Sequence, residues 1–346
     1  MMDSTMPSGN ADAISRPTAR GNCGRRFSVI IVNYNGGEML AACAQSVLNQ
    51  GVPATQLIVV DNGSRDDSLK LAGQTAPGIS LIRNQCNAGF ARAVNQGLTQ
   101  ATSEFILLLN NDAQLEADCL CAFARAFDST PDLFIAGGQL HYPDGRPQNA
   151  IALIPTLAAE LLPKFLLRPF APRRPEGKVQ LAQPQPVESV IGACLAVRRS
   201  GIAELGALDE DYFFFLEETE WCLRARRRGY QVYHVPEARA LHAQGQTAKR
   251  FRGAARIEFQ RSKLIFFRKT QGRFAHLIVG AILPLKALVN ALSNSLVCVL
   301  TLCLSARQRS RAQGYWRIVL WHCLGRPQSW GLPDKCPRKM TGNSLS

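Results

Sequence analysis

Four times between residues 27 and 127, a short apolar run gives way to a polar turn and then to apolar residues at helical spacing. The first pass is Phe27–Val32, the turn Asn33-Tyr34-Asn35-Gly36-Gly37, then Leu40, Cys43, Ala44, Val47 and Leu48. The second is Leu57–Val60, the turn Asp61-Asn62-Gly63-Ser64 and a helix from about Asp66. The third is Ile79–Ile82, the turn Arg83–Ala88 and a helix over Phe90–Thr99. The fourth is Phe105–Leu109, the turn Asn110-Asn111-Asp112 and a helix over Ala117–Phe127. Unbroken apolar runs suit strands covered on both faces. The cycle therefore predicts an α/β fold, a mostly parallel sheet with helices on both sides. Ligands of such sheets bind beyond the carboxyl ends of the strands, so Asn35, Asp61, Asn87 and Asp112 belong to one rim.

The chain changes character after this region. Residues 141–186 are proline-rich, with Pro172-Arg173-Arg174-Pro175 at their centre, and read as a long excursion. Regular structure resumes with Val190–Val197, a helix near Ser200–Leu205 and the run Asp209–Phe215. A helix over Glu217–Arg228 and a strand over Tyr230–Val235 follow. The organisation expected is a disordered lead (1–26), a first half (27–140), the excursion (141–186), a second half (187–270) and a basic tail (271–346). The lead is rich in Ser, Gly, Asn and Arg and has no apolar core like that of a signal peptide.

Charge separates the tail from the rest. The chain of 346 residues carries a formal +14, yet residues 245–346 hold 18 Lys/Arg against Glu258 and Asp334, a net of +16. Ala275–Ala306 is apolar but for His276 and Lys286, and its uncharged stretch from Ala287 is long enough to span a bilayer. Its polar members, Lys286, Asn290, Ser293, Asn294, Thr301 and Ser305, fall on one stripe, which suits a helix lying in the membrane interface. Arg268, Lys269 and Arg273 before it and Arg307, Arg309 and Arg311 after it would meet anionic headgroups. A nucleic-acid surface is the competing reading of this charge, but no nucleic-acid-binding motif accompanies it. The eleven cysteines show no paired metal-site spacing and mostly lie in apolar runs, so they are expected to be reduced, buried thiols.

The chemistry-bearing residues stand at strand ends. No GxGxxG follows the first strand and no GxxxxGK[ST] occurs, which removes the main support for a dinucleotide-dependent dehydrogenase or a P-loop nucleotidase. Asp61 is either a partner for a nucleobase or ribose, or the Asx turn that opens the next helix. Asp112, after an apolar strand, could hold a divalent ion that bridges a diphosphate. Glu217-Glu218-Thr219-Glu220 follows Tyr212-Phe213-Phe214-Phe215. Those acids suit a helix first turn, with Glu220 one turn before Arg224. One of them, beside buried aromatics, could equally serve as a general base. His242, taken alone, is an isolated imidazole.

Taken in order, FSVIIVNYNG (27–36), VVDNGSRDDS (59–68), NAGFARAVNQGL (87–98), LLLNNDAQL (107–115) and residues 192–242 resemble the family 2 inverting glycosyltransferases, and most of all the bacterial rhamnosyltransferase branch. The resemblance covers about residues 27–270. It implies a GT-A fold, with Asn33, Tyr34, Asn35, Asp61, Asn87 and Asn111 on the nucleotide-sugar. It implies a divalent metal (Mg²⁺ or Mn²⁺) at Asp112 and His242, and Glu218 as catalytic base. Asp209, Glu217 and Trp221 would face the acceptor. It further implies a nucleotide-sugar donor, dTDP-L-rhamnose in first place and a UDP-hexose or galactofuranose donor in second. The acceptor would be lipid-linked or a polysaccharide, on the cytoplasmic face of the inner membrane, with residues 271–311 as the contact and no nucleic acid. A glycosyltransferase-like subunit without catalysis is a further alternative. The chain departs from the family pattern at Asn110, where the first Asp of a DxD triplet usually stands, and at Glu218 and Glu220, where Asp is commoner.

Overall fold

The structure, a computed structural model, describes residues 23–162, 183–243 and 252–337. The four apolar runs form β1 (Phe27–Asn33), β2 (Leu57–Asp61), β3 (Ser80–Arg83) and β4 (Phe105–Asn110). The helices between and after them are α1 (Glu38–Leu48), α2 (Ser68–Thr75), α3 (Phe90–Leu98) and α4 (Cys119–Ser129). These strands are parallel, in the order β3-β2-β1-β4.

Beyond β4 the sheet takes in antiparallel strands, within the mostly parallel arrangement expected. The remaining strands are β5 (Ala113–Leu115), β6 (Leu133–His141), β7 (Ile151–Ala152), β8 (Gln185–Pro186), β9 (Ser189–Val190), β10 (Cys194–Arg198) and β11 (Gln231–His242). β10 inserts antiparallel between β4 and β6, β11 lies parallel to β6, and β5 closes the edge antiparallel to β11. The reason is the connection: β10 follows the long excursion and not a βα crossover, so nothing forces it into the parallel direction. The expected strand 190–197 is accordingly broken at Gly192, leaving β9 to pair with β7.

Two apolar layers cover the sheet. α1 and α4 pack on one face through Leu40, Cys43, Val47, Leu120 and Phe123. On the other face lie Ala91 and Val94 of α3, Leu205 at the end of α6 (Arg199–Leu205), and Trp221, Cys222 and Ala225 of α7 (Glu217–Arg227). The excursion adds α5 (Leu157–Leu161), and its Pro172–Pro175 centre lies outside the described residues.

The tail forms three long helices, α8 (Arg252–Thr270), α9 (Gly272–Leu300) and α10 (Ala306–Cys323), around a third cluster that includes Phe266, Phe267, Val279, Leu283 and Trp321. Residues 23–26 depart from the disordered expectation. Arg26 binds both Glu104 and Asp128, at 2.9 and 2.7 Å.

The reduced state expected for all the cysteines is also corrected. Cys23–Cys121 and Cys86–Cys336 are disulfides, while Cys43, Cys119, Cys194, Cys222, Cys298, Cys303 and Cys323 are free. Partners 98 and 250 residues apart are brought together only by the tertiary fold, so spacing along the chain gave no sign of them.

Candidate active site

The ends of β1, β2 and β4 and the turn before α3 meet in a cleft of about 110 Å³. Tyr34, Asn62, Asn87, Gly89, Asn111 and Asp112 line it together with Phe213 and Phe214. Two glycines are required by this packing. At Gly36 a Cβ would lie 2.4 Å from Asn33 Oδ1, and at Gly89 (φ +90°) it would lie 2.7 Å from the Phe213 carbonyl.

The rim residues divide into those that face the cleft and those that brace it. Asn33 is fully buried and donates to Asp61 and to the hydroxyls of Ser64 and Ser68, while its Oδ1 accepts from Asn111. Asp61 is 3% exposed and accepts the Ser64 hydroxyl and backbone N–H, the Asx-turn arrangement. Asn35 (φ +51°) accepts the Arg65 N–H and stands outside the cleft lining. Asn33, Asn35 and Asp61 thus hold the rim in shape. Tyr34, Asn87 and Asn111 line the cleft itself.

Asp112 and His242 come together because β5 pairs with the last residues of β11. Asp112 Oδ1 lies 3.2 Å from His242 Nε2. The other ring nitrogen, Nδ1, is 3.0 Å from Gln148 Oε1, and the Gln148 amide is oriented by donating to the carbonyls of His141 and His242. Nδ1–H therefore donates to Gln148, and Nε2 faces a carboxylate oxygen, with the Asn110 amide nitrogen 3.4 Å away. A carboxylate and an imidazole nitrogen side by side are a donor pair that could hold a divalent cation. Among the described residues no cluster of three His, Cys, Asp or Glu side chains surrounds this point. The pair suits an ion that takes its other ligands from substrate phosphates and water.

Glu218 sits in the first turn of α7 against Gly192. The next residue, Ala193, accepts the Asn110 N–H at 3.0 Å, so Glu218 stands beside the Asn110–Asp112 turn. Burial pushes its carboxyl up, against the pull of nearby backbone N–H groups that include Gly192. Burial, then the neighbouring Glu218 charge, pushes Glu217 up as well. One oxygen of each carboxyl is buried without a hydrogen-bond partner among the described residues.

Two of the residues expected to face the acceptor have partners within the protein. Trp221 is fully buried, edge-on to Phe134, with its indole N–H on the Gly206 carbonyl. Asp209 pairs with Lys269 of α8 at 2.5 Å.

The outer wall of the cleft comes from a segment that sequence reasoning missed. Residues 327–337 cross the mouth, and Leu332 enters the lining. Asn87 N–H donates to the Asp334 carbonyl, Cys336 N–H to the Asn87 carbonyl, and Tyr34 Oη to Asp334 Oδ2 at 2.6 Å. The Cys86–Cys336 disulfide latches the strap, and the Lys335 ammonium lies 4.5 Å from the centre of the Phe213 ring. The cleft, at about 110 Å³, is well below the roughly 300–1,000 Å³ of ordinary ligand sites. Cys336→Ser is therefore expected to raise nucleotide affinity several-fold by freeing the strap. Calorimetric titration of the variant beside the parent checks this, and an unchanged affinity would refute it.

Residues 28–206 match the family model for glycosyl transferase family 2, and the chain belongs to that family. Its mixed sheet with helices on both faces is accordingly of the GT-A type. It is 26% identical over 255 residues to the N-acetylglucosaminyl-diphospho-decaprenol L-rhamnosyltransferase of Mycobacterium tuberculosis, covering 69% of this chain and 82% of that one. It is 25% identical over 235 residues to a low-salt glycan biosynthesis hexosyltransferase of Haloferax volcanii, covering 67% and 71%. Among solved structures it is similar to a mannosyltransferase of Pyrobaculum calidifontis in complex with GDP-Man and Mn²⁺, at 17% identity and TM-score 0.48, covering 87% and 86%. The chain is a glycosyltransferase.

Proposed function

We propose that this glycosyltransferase moves a sugar, dTDP-L-rhamnose being the first-choice donor, to a hydroxyl of a lipid-linked acceptor with inversion at the anomeric carbon. The observation that carries the reading is the Asp112–His242 pair at the cleft, with the half-buried Glu218 packed on Gly192, next to the Ala193 carbonyl that binds Asn110. The mycobacterial relative's name supports both the rhamnosyl donor and the lipid-linked acceptor.

Glu218 takes the proton of the acceptor hydroxyl. The freed oxygen attacks the anomeric carbon from the side opposite the nucleotide, the bond from that carbon to the diphosphate breaks, and the nucleoside diphosphate leaves. Tyr34, Asn87 and Asn111 position the donor. A divalent ion held by Asp112 and His242 would supply charge neutralisation to the leaving diphosphate. The test is turnover of a nucleotide-sugar panel with Mg²⁺ or Mn²⁺, read as nucleoside diphosphate release. Release from dTDP-L-rhamnose is expected to exceed that from UDP-hexoses and UDP-galactofuranose, and release from none would sink the reading.

The charge and apolar face of the tail support docking on an anionic membrane surface. One side of α9 is packed through Val279, Leu283, Ala287 and Ala291, while Phe274, Leu285, Leu292, Leu296 and Val299 are exposed. α9 is the one described helix long and apolar enough to cross a membrane, with 28% of its apolar window buried. The basic residues at both of its ends favour a position in the interface. Each such residue near an anionic surface contributes about 1 kcal/mol. Replacing Arg307, Arg309 and Arg311 by Gln is therefore expected to weaken co-sedimentation with anionic vesicles roughly a hundredfold. Equal sedimentation of parent and variant would refute the docking.

A further inference from the structure

Beside the catalytic loop lies a second cavity, of about 400 Å³, lined by Phe215, Ala255, Arg256, Phe259, Tyr315 and Ile318, with Gln260. α8 and α10 form its walls, and both belong to the helical tail that carries the exposed apolar face. Its position relative to the donor cleft is set by three consecutive aromatics. Phe213 and Phe214 line the donor cleft, while Phe215 lines this cavity. Phe215 and Leu216 are both left-handed (φ +77° and +67°), a conformation that costs bulky residues energy and turns the chain sharply before α7. Ser262 of α8 donates to the Phe214 carbonyl and holds the turn. A file of rings, Phe90, Phe214, Phe215 and Phe259, at centroid spacings of 6.2, 4.5 and 5.6 Å, connects one cavity to the other.

An in-line displacement needs the acceptor on the side of the anomeric carbon opposite the diphosphate. This cavity lies across the Phe213–Phe215 loop from the donor cleft, and the chain passes from Phe215 in its lining to Glu218 within three residues. The lining also states a chemistry. Phe215, Phe259 and Tyr315 offer flat apolar surface. Arg256 is stacked at 4.9 Å from the Tyr315 ring centre and has no carboxylate within ion-pair distance among the described residues. Gln260 Oε1 is buried without a hydrogen-bond partner among the described residues. A fixed cation among aromatic rings, at the foot of helices with an exposed apolar face, fits an anionic amphiphile.

We propose that this cavity is the acceptor pocket, that Arg256 takes the phosphate of a polyprenyl-phosphate-linked sugar, and that the three rings take its first isoprene units. The inference rests on the glycosyl-transfer reading of the donor cleft and adds where, and by which groups, the acceptor is held. The lipid tail then leaves along α8 and α10 toward the membrane, and the sugar hydroxyl points past Phe215 to Glu218.

The experiment titrates the full chain, saturated with dTDP to fill the donor cleft, with farnesyl diphosphate, and follows binding by calorimetry. Saturable binding is expected, with Arg256→Gln weakening it about tenfold, the scale of one charge-assisted contact. Tyr315→Phe should retain binding and Tyr315→Ala should lose it. Farnesol, without the phosphates, should bind the parent as weakly as farnesyl diphosphate binds the Arg256→Gln variant. No saturable binding, or equal affinity in the Arg256→Gln variant, overturns the proposal. In a second titration begun without nucleotide, displacement of bound farnesyl diphosphate by added dTDP also overturns it, by placing the probe in the donor cleft. Failure of dTDP itself to bind would instead count against the donor cleft, so the two readings fail separately.

Discussion

Glu218→Gln is expected to lower kcat by about 10²–10⁴, the usual contribution of a positioned general base, while the nucleotide dissociation constant stays within about twofold. The amide keeps the shape and the contact with Gly192 but cannot take a proton. Glu218 borders the cleft through the Asn110–Ala193 bond and is absent from the cleft lining, so nucleotide binding should not feel the change. The pH profile gives a second readout. A base works when ionised, and burial raises the Glu218 carboxyl above the usual carboxylate range. Activity should therefore climb with pH through an elevated acidic limb and fall as pH drops below it. Glu217, pushed up by burial and then by the charge of Glu218, keeps its proton while Glu218 loses one. Glu217→Gln should accordingly leave the limb in place, whereas Glu218→Gln should remove it. Retention of full turnover by Glu218→Gln would exclude it as the base.

Those two carboxyls were legible in the sequence as acids after an aromatic run, and so were the four βα cycles, whose apolar runs became strands to within a residue or two. Both signals are local. Periodicity reports burial, and acids in a first turn report a helix start. Other features depended on direction. Asn33 and Asp61 were placed on the correct rim, but at the last residue of a strand the sequence does not say whether a side chain faces the cleft or the neighbouring turn, and both face the turn. Trp221 lies one turn before the buried Ala225, a helical phase that points it inward to Phe134, whatever its proximity to acids suggests. The strap, the disulfide to Cys86 and the Gln148 support of His242 join residues 250 and 94 positions apart. Pairings of that range are fixed by how the whole chain closes and leave no periodic trace. The basic tail was visible as charge, but the pocket between α8 and α10 needed the helices to be packed before Arg256 and Tyr315 became neighbours.

Asp112→Asn is expected to lower kcat/KM by about 10²–10³, the scale of losing one preorganised electrostatic contact to the developing charge, and to remove the metal dependence of nucleotide binding. The carboxylate and the His242 ring share one point, with Asp112 Oδ1 3.2 Å from Nε2. An Asn amide there can donate to Nε2 and satisfy it, so the variant should fold while losing the negative charge that attracts a divalent ion. EDTA should mimic the substitution in the parent and add nothing to the variant. The supporting residue provides a graded control. Gln148 fixes the His242 tautomer through Nδ1 and spans the two carbonyls of His141 and His242. Gln148→Leu should cost about 10–100-fold in metal affinity, as changes to partners of metal-binding histidines do, with the nucleotide still bound. The order of loss distinguishes a metal site from a simple ion pair. If Asp112 and His242 only paired with each other, Asp112→Asn would leave EDTA sensitivity and the Mn²⁺ dependence of nucleotide affinity as they are in the parent. If they hold the ion that faces the diphosphate, both dependences disappear together, and Gln148→Leu shifts the Mn²⁺ midpoint upward without abolishing it.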